Sequence, residues 1–193
     1  MVSTAILVDG MYVQNAADLF GIGRIDPTKY PKMLLRDGEE HFKTYVFDAL
    51  PFVPRDGATR EQVDRRIGKK LYLEAIQYHD RIAVECGYVR AKIVKCPKCQ
   101  TSFATHVQKA VDVRMSVRLT ALAWERIVGK MVLVCGDADL IPAVRATEPT
   151  GTIVRLAYFS EGVVRTSQAL IRACPEKQQL KRSDLAYCKL EPR

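Results

Sequence analysis

The chain has 193 residues, 48% of them hydrophobic, which is one domain with apolar side chains enough for a sizeable core and excludes a disordered tail protein. Thirty Lys and Arg against 22 Asp and Glu leave a net charge of +8, a balance that favours a polyanionic partner. No apolar run approaches the roughly 20 residues of a membrane span, and Asp9 halts the first one early, so neither a membrane segment nor a secretory signal is expected and the chain reads as cytoplasmic, its six cysteines reduced.

Residues 4–8 (T-A-I-L-V) read as a buried strand ending at the turn signal Asp9-Gly10. Residues 12–20 carry Val13, Ala16, Ala17 and Phe20 at helical spacing, and Asp26-Pro27 opens a short helix through Tyr30, Met33 and Leu34. Residues 43–47 (K-T-Y-V-F) form a second strand ended by Asp48, followed by a proline-containing loop over 50–57. The longest helix spans 59–80, with Val63, Ile67, Leu71, Leu73 and Ile76 as its buried stripe. Strand pieces at 82–84 and 88–94 are separated by Gly87, and 95–105 reads as irregular. A second long helix covers 108–128, with Met115, Leu119 and Leu122 facing the core. Then come an apolar strand at 131–135 (M-V-L-V-C), a short helix at 138–146, a strand at 153–159 and a helix at 163–173. Beyond Pro175 the chain is polar and basic and reads as a tail or partner-contacting arm. Strands alternating with helices predict an α/β fold around a mostly parallel sheet, and strands without polar alternation support it, because parallel strands are covered on both faces.

Three of these strands run into an aspartate: Asp9, Asp48, and Asp137 with Asp139 two residues on. In an open α/β sheet ligands bind beyond the carboxyl ends of the strands, so parallel strands would gather these acids at one edge, where Asp112 could join them. Converging carboxylates repel one another and raise one another's pKa, a cost that a hard cation such as Mg²⁺ or Mn²⁺ relieves. Each acid alone also has a structural reading. Asp112 and Asp139 fit helix caps, Asp48 fits a loop-ordering residue, and the pair Asp9 and Asp137 fits a metal site best.

The motifs V-D-G (residues 8–10), F-D-A-L-P (47–51), Q-K-A-V-D-V (108–113) and C-G-D-A-D-L (135–140) resemble the NYN domain in its LabA-like branch, within the PIN-like nuclease superfold. The resemblance runs over nearly the whole chain and implies a three-layer sandwich with a central sheet, an NYN domain over 1–180 with a cysteine-containing insert at 95–106, and a basic tail at 181–193. It implies RNA cleavage at an acidic Mg²⁺ or Mn²⁺ site, with Asp9, Asp112, Asp137 and Asp139 as metal-holding catalytic acids and Asp48 as a candidate fifth. The chain departs from the family at Tyr12, where an Asn is usual, and at Cys135, where a Ser is usual.

Metal-assisted hydrolysis of a phosphodiester needs no His or Ser nucleophile, and His41, His79 and His106 have no triad-like context. It does need cations around the substrate. Arg55, Arg60, Arg65, Arg66, Lys69 and Lys70 form one candidate patch, Arg90, Lys92, Lys95 and Lys98 another, and Arg114 and Arg118 flank Asp112. Tyr12 and Phe52 are candidates to stack on a base or to pack internally. Cys96 and Cys99 have the spacing of half a structural zinc site, for which Cys86 and His106, or a symmetry-related pair in a homodimer, would complete the four ligands. The expected partner is RNA, with DNA open. The competing expectation, motivated by Tyr12, is a non-catalytic NYN-like module that holds RNA or a protein.

Overall fold

The computed structural model describes residues 1–54, 56–160 and 164–191, with the backbone alone for 103–108. Seven strands form one sheet in the order β4-β3-β2-β1-β5-β6-β7. These are β1 (Val2–Asp9), β2 (Glu39–Ala49), β3 (Ile82–Lys95), β4 (Ser102–Lys109), β5 (Lys130–Val134), β6 (Ile153–Phe159) and β7 (Glu176–Leu180). All pair in parallel except β3 with β4. The all-parallel six-stranded centre flanked by helices is the α/β architecture that the sequence predicts, and it agrees with the sandwich that the resemblance implies.

Ala5–Val8 are wholly buried because helices cover both faces of β1. On one face lie α1 (Gly10–Leu19), α2 (Tyr30–Leu34) and α7 (Arg182–Tyr187), which bury Val13, Ala16, Ala17, Leu34 and Leu185 against Ile6, Val8, Val132 and Val134. On the other lie α4 (Val111–Trp124), α5 (Ile141–Thr147) and α6 (Gln168–Ala173), which bury Met115, Leu119, Leu122, Val144 and Leu170 against Leu7, Phe47 and Leu133. A smaller cluster of Val46, Leu73, Ile76 and Ile82 seats α3 (Arg60–Gln77) near β2 and β3.

Three expectations are corrected. The expected stripe of α3 is buried only at Leu73 and Ile76, while Ile67 and Leu71 are 50% and 59% exposed. Only the last turns of this helix pack on the sheet, and its first half is closed by a Thr59–Gln62 capping box rather than by core contacts. The irregular stretch at 95–105 is a turn leading into β4, and the two strand pieces are one strand that changes partner, from β2 up to Gly87 to β4 from Tyr88. The polar end is not a free arm. β7 pairs with β6, and Leu180, Leu185 and Cys188 are buried, so a few apolar residues suffice to fold a segment whose composition reads as a tail.

At the amino end of the sheet, away from the strand-end acids, Arg155 is completely buried and bidentate on Glu39, with Nη1–Oε1 at 2.7 Å and Nη2–Oε2 at 2.8 Å. Its Nη2 also donates to the Leu34 carbonyl at 2.7 Å, and Lys130 reaches Glu39 at 3.1 Å and Glu176 at 2.9 Å. Burial raises the Glu39 pKa, but the bonds from Arg155, the Arg36 amide and Lys130 outweigh it and hold it at about 2. The cluster ties β2, β5, β6 and β7 together.

Glu39→Gln removes the bidentate partner of the buried Arg155, leaving it only Glu176 at 3.7 Å, and should lower stability by about 3 kcal/mol at pH 7, read by denaturant titration. A carboxylate held below its usual 4.5 contributes fully above that value and loses its contribution as pH falls toward 2. The wild-type chain should therefore weaken across that window, and the variant should lack this part of the acid dependence.

Candidate functional site

The strand order reverses at β1, which has β2 on one side and β5 on the other. This is the switch point at which an open α/β sheet offers a crevice. Val8 lies opposite Val134 and Asp9 opposite Phe47, so the residues just past β1, β2 and β5 emerge together.

Asp9 ends β1 in an extended conformation and caps α1, its Oδ1 accepting from the Met11 and Tyr12 amides at 2.9 and 3.1 Å. Gly10 is required next, because a Cβ there would collide with the Asp48 carboxylate. Asp137 behaves in the same way: its Oδ1 accepts from the Asp139 amide at 2.9 Å and caps the 3₁₀ turn before α5. A Cβ on the preceding Gly136 would come within 2.7 Å of the Tyr12 ring and 2.8 Å of the Arg165 carbonyl, so that glycine lets both approach. Asp112 stands in the first turn of α4, whose side-chain cap is missing. The residue before the helix, Ala110, sits at φ 68°, a left-handed conformation that costs a non-glycine residue about 1–2 kcal/mol. The capping roles are thus the reverse of those expected from sequence. Asp9 and Asp137 are the caps, and Asp112 and Asp139 are not. Each cap uses Oδ1, which leaves Oδ2 of Asp9 and Asp137 for a ligand.

Asp9, Asp112 and Asp137 line one cavity of about 700 Å³ with Met11, Tyr12, Asn15, Arg165, Thr166 and Ser167. Burial pushes the Asp9 carboxyl up to about 6; its amide bonds oppose this, and the charges of Asp112 and Asp48 reinforce it. Asp112 is also raised, by burial first and then by Asp137 and Asp139. Asp139 acts on the cavity through this charge and does not line it. Asp48 faces an adjoining cavity of about 720 Å³, which shares Met11 and Asn15 with the first, and its buried carboxylate is paired with Lys69 and accepts from the Ala49 amide.

Among the described residues, no three His, Cys, Asp or Glu stand close enough together to hold a metal ion by themselves. The donor chemistry nevertheless fits Mg²⁺ or Mn²⁺, which bind through one or two carboxylates and fill their remaining positions with water and phosphate oxygens. Three acids lining a partly desolvated cavity, two of them destabilised as anions, are such a donor set.

The expected cations separate into groups. Arg65 and Lys69 line the cavity of Asp48, where Arg24, unmarked in the sequence, joins them. Arg60 and Lys70 stand by Asp64 and Glu74 along α3, Arg66 donates to the Pro51 carbonyl at 2.7 Å, and Arg118 donates to Glu85 at 2.8 Å. Arg114 is exposed on α4, and Arg55 lies outside the described residues. The one cation among the described residues lining the acidic cavity is Arg165, which sequence reasoning missed because a single basic residue before a helix carries no pattern. Tyr12 is buried, and its ring stacks on no open surface. Its hydroxyl accepts from the Phe159 amide at 2.8 Å and donates to Thr166 Oγ1 at 2.7 Å, which in turn donates to the Phe159 carbonyl at 3.0 Å.

The four-ligand zinc set expected within one chain does not form. Cys86 precedes Cys96 by ten residues along β3, roughly 33 Å at full extension. The backbone of His106 pairs with Ala91, five residues or roughly 16 Å from Cys96, and its side chain lies outside the described residues. Cys96 and Cys99 remain together at the turn.

Tyr12→Phe strands the Phe159 amide and should cost about 1–3 kcal/mol in a thermal or denaturant melt, the signature of a structural tie rather than a base platform. Asp9→Asn keeps the cap and removes the buried charge. With its pKa raised from 3.8 to about 6, ionising Asp9 costs stability increasingly as pH rises through that interval. Metal-free Asp9→Asn should therefore match the wild type below pH 3.8 and exceed it by up to about 3 kcal/mol at pH 7. Added Mn²⁺ should close the gap by stabilising the wild type alone, followed by differential scanning fluorimetry.

No curated protein matches the chain. The NYN domain family profile matches residues 3–180, from β1 to the end of β7. The NYN domain lies within the PIN-like nuclease superfamily, whose members generally use divalent metals. The chain belongs to the NYN domain family.

Proposed function

We propose that the protein is a metal-dependent ribonuclease that hydrolyses RNA phosphodiester bonds, with one or two of Asp9, Asp112 and Asp137 binding Mg²⁺ or Mn²⁺ directly, the others reaching it through its waters, and Asp139 tuning their charge. The observation that carries this reading is the shared cavity: Asp9 and two acids more than a hundred residues further along the chain line one crevice at the sheet's switch point, with Arg165 as the described cation beside them. The motifs Q-K-A-V-D-V and C-G-D-A-D-L support the LabA-like branch of the family.

A bound divalent ion supplies an acidified water and stabilises negative charge on the phosphate. The chain supplies the rest. Asp9 and Asp137 are held rigid by their caps, so the oxygens offered to the ion are positioned before substrate arrives. Arg165 offers a guanidinium to a phosphate oxygen at the rim. The adjoining cavity, with Arg24, Arg65, Lys69, Phe52 and Tyr72, gives the strand a basic and aromatic path away from the scissile bond.

Purified protein incubated with single-stranded and structured RNA in Mn²⁺ or Mg²⁺ should cleave, and chelation should stop it. Asp112→Asn and Asp137→Asn should each slow cleavage by at least about 100-fold while keeping the melting profile of a folded chain. Undiminished cleavage by the variants points to a contaminant. RNA binding without any cleavage supports the non-catalytic module, and DNA of the same sequence tests the sugar preference.

A further inference from the structure

The turn between β3 and β4 has no part in the acidic cavity, yet it is built with care. Cys96 donates its amide to the Thr101 carbonyl at 2.9 Å, and the Gln100 amide donates to the Cys96 carbonyl at 2.9 Å. Gln100 takes the left-handed conformation, φ 60°, that turns the chain back after Cys99. This folding sets Cys96 and Cys99 on one turn, with Thr101, whose carbonyl holds the Cys96 amide, beside Cys99. Two ligands of one tetrahedral zinc with 2.3 Å bonds are about 3.8 Å apart, a spacing that neighbouring sulfurs reach. Both thiols are free, and Cys99 is exposed.

Among the described residues, no other His, Cys, Asp or Glu joins the pair in one ligand group. Cys86 and the backbone of His106 are too far along the strands, and Cys135, Cys174 and Cys188 are buried elsewhere in the molecule. The hairpin occupies the edge of the sheet, and the turn is exposed apart from a partly covered Cys96, so an identical turn can approach it across a two-fold axis. Four thiolates around a divalent ion carry two net negative charges, which Lys95 and Lys98 of each copy offset.

We propose that Cys96 and Cys99 form half of a structural zinc site that is completed by the same pair from a second copy, so that one zinc ion joins two chains hairpin to hairpin. The ion is soft-ligand zinc, not the hard cation of the acidic cavity, and the two sites are independent.

The test uses the full reduced chain, equilibrated with zinc or with a strong chelator, then analysed for metal content and for mass by light scattering. One zinc per two chains, a dimer with zinc and a monomer after chelation are expected. Cys96→Ser and Cys99→Ser should stay monomeric in zinc while melting as folded proteins, and Asp137→Asn should dimerise like the wild type. Cobalt in place of zinc should give the charge-transfer and visible bands of four thiolates. One zinc per chain on a monomer, no zinc retained by the reduced protein, or a dimer that survives Cys99→Ser would each overturn the proposal.

Discussion

The central position of β1 is the constraint from which the acidic cavity follows. It is paired in parallel with β2 and β5, so its last residue and those just beyond its neighbours must surface at one edge. The register leaves little latitude. A slip of one residue in β1 would turn its side chains to the opposite face and move Asp9 away from Asp137. Wholly buried Ala5–Val8 make such a slip costly, so the apolar composition of the strand places the polar group at its end.

The two ends of the sheet handle charge in opposite ways. At the amino end, carboxylates meet cations: Glu39 is enclosed by Arg155 and Lys130 and held deep in its ionised form. At the carboxyl end, Asp9 and Asp112 are desolvated by burial and also face other carboxylates, so they are held as anions only at a cost. The first arrangement stabilises the fold. The second leaves anions short of solvation and close to like charge, a cost that a cation can relieve, as expected of a binding crevice rather than a scaffold.

Much of this was legible in the sequence, because buried parallel strands write themselves as unbroken apolar runs. T-A-I-L-V and M-V-L-V-C gave β1 and β5, and the acids after them gave the crevice. Elements without such runs were harder to read. β3 alternates apolar and polar residues at V-R-A-K-I (89–93) and reads only in pieces, the start of β4 reads as irregular, and β7 reads E-K-Q-Q-L, since its one well-buried residue is Leu180. The stripe of α3 follows helical periodicity, but periodicity cannot say how far a helix overhangs its sheet. The assignment of caps failed for a related reason. A side chain at a helix start can cap and still face a cavity, because a carboxylate has two oxygens.

The closed ring of bonds among Tyr12, Thr166 and Phe159 has a mechanical consequence. It fastens the backbone just after Arg165 to α1 and to the end of β6, and Ser167 is further bonded to the Gly136 carbonyl at 2.9 Å. The backbone from Thr166 to Ser167 is therefore a fixed bracket, and the exposed Arg165 side chain extends from it. Adjustment of Arg165 to a phosphate can then proceed by side-chain rotation, on a timescale of picoseconds to nanoseconds.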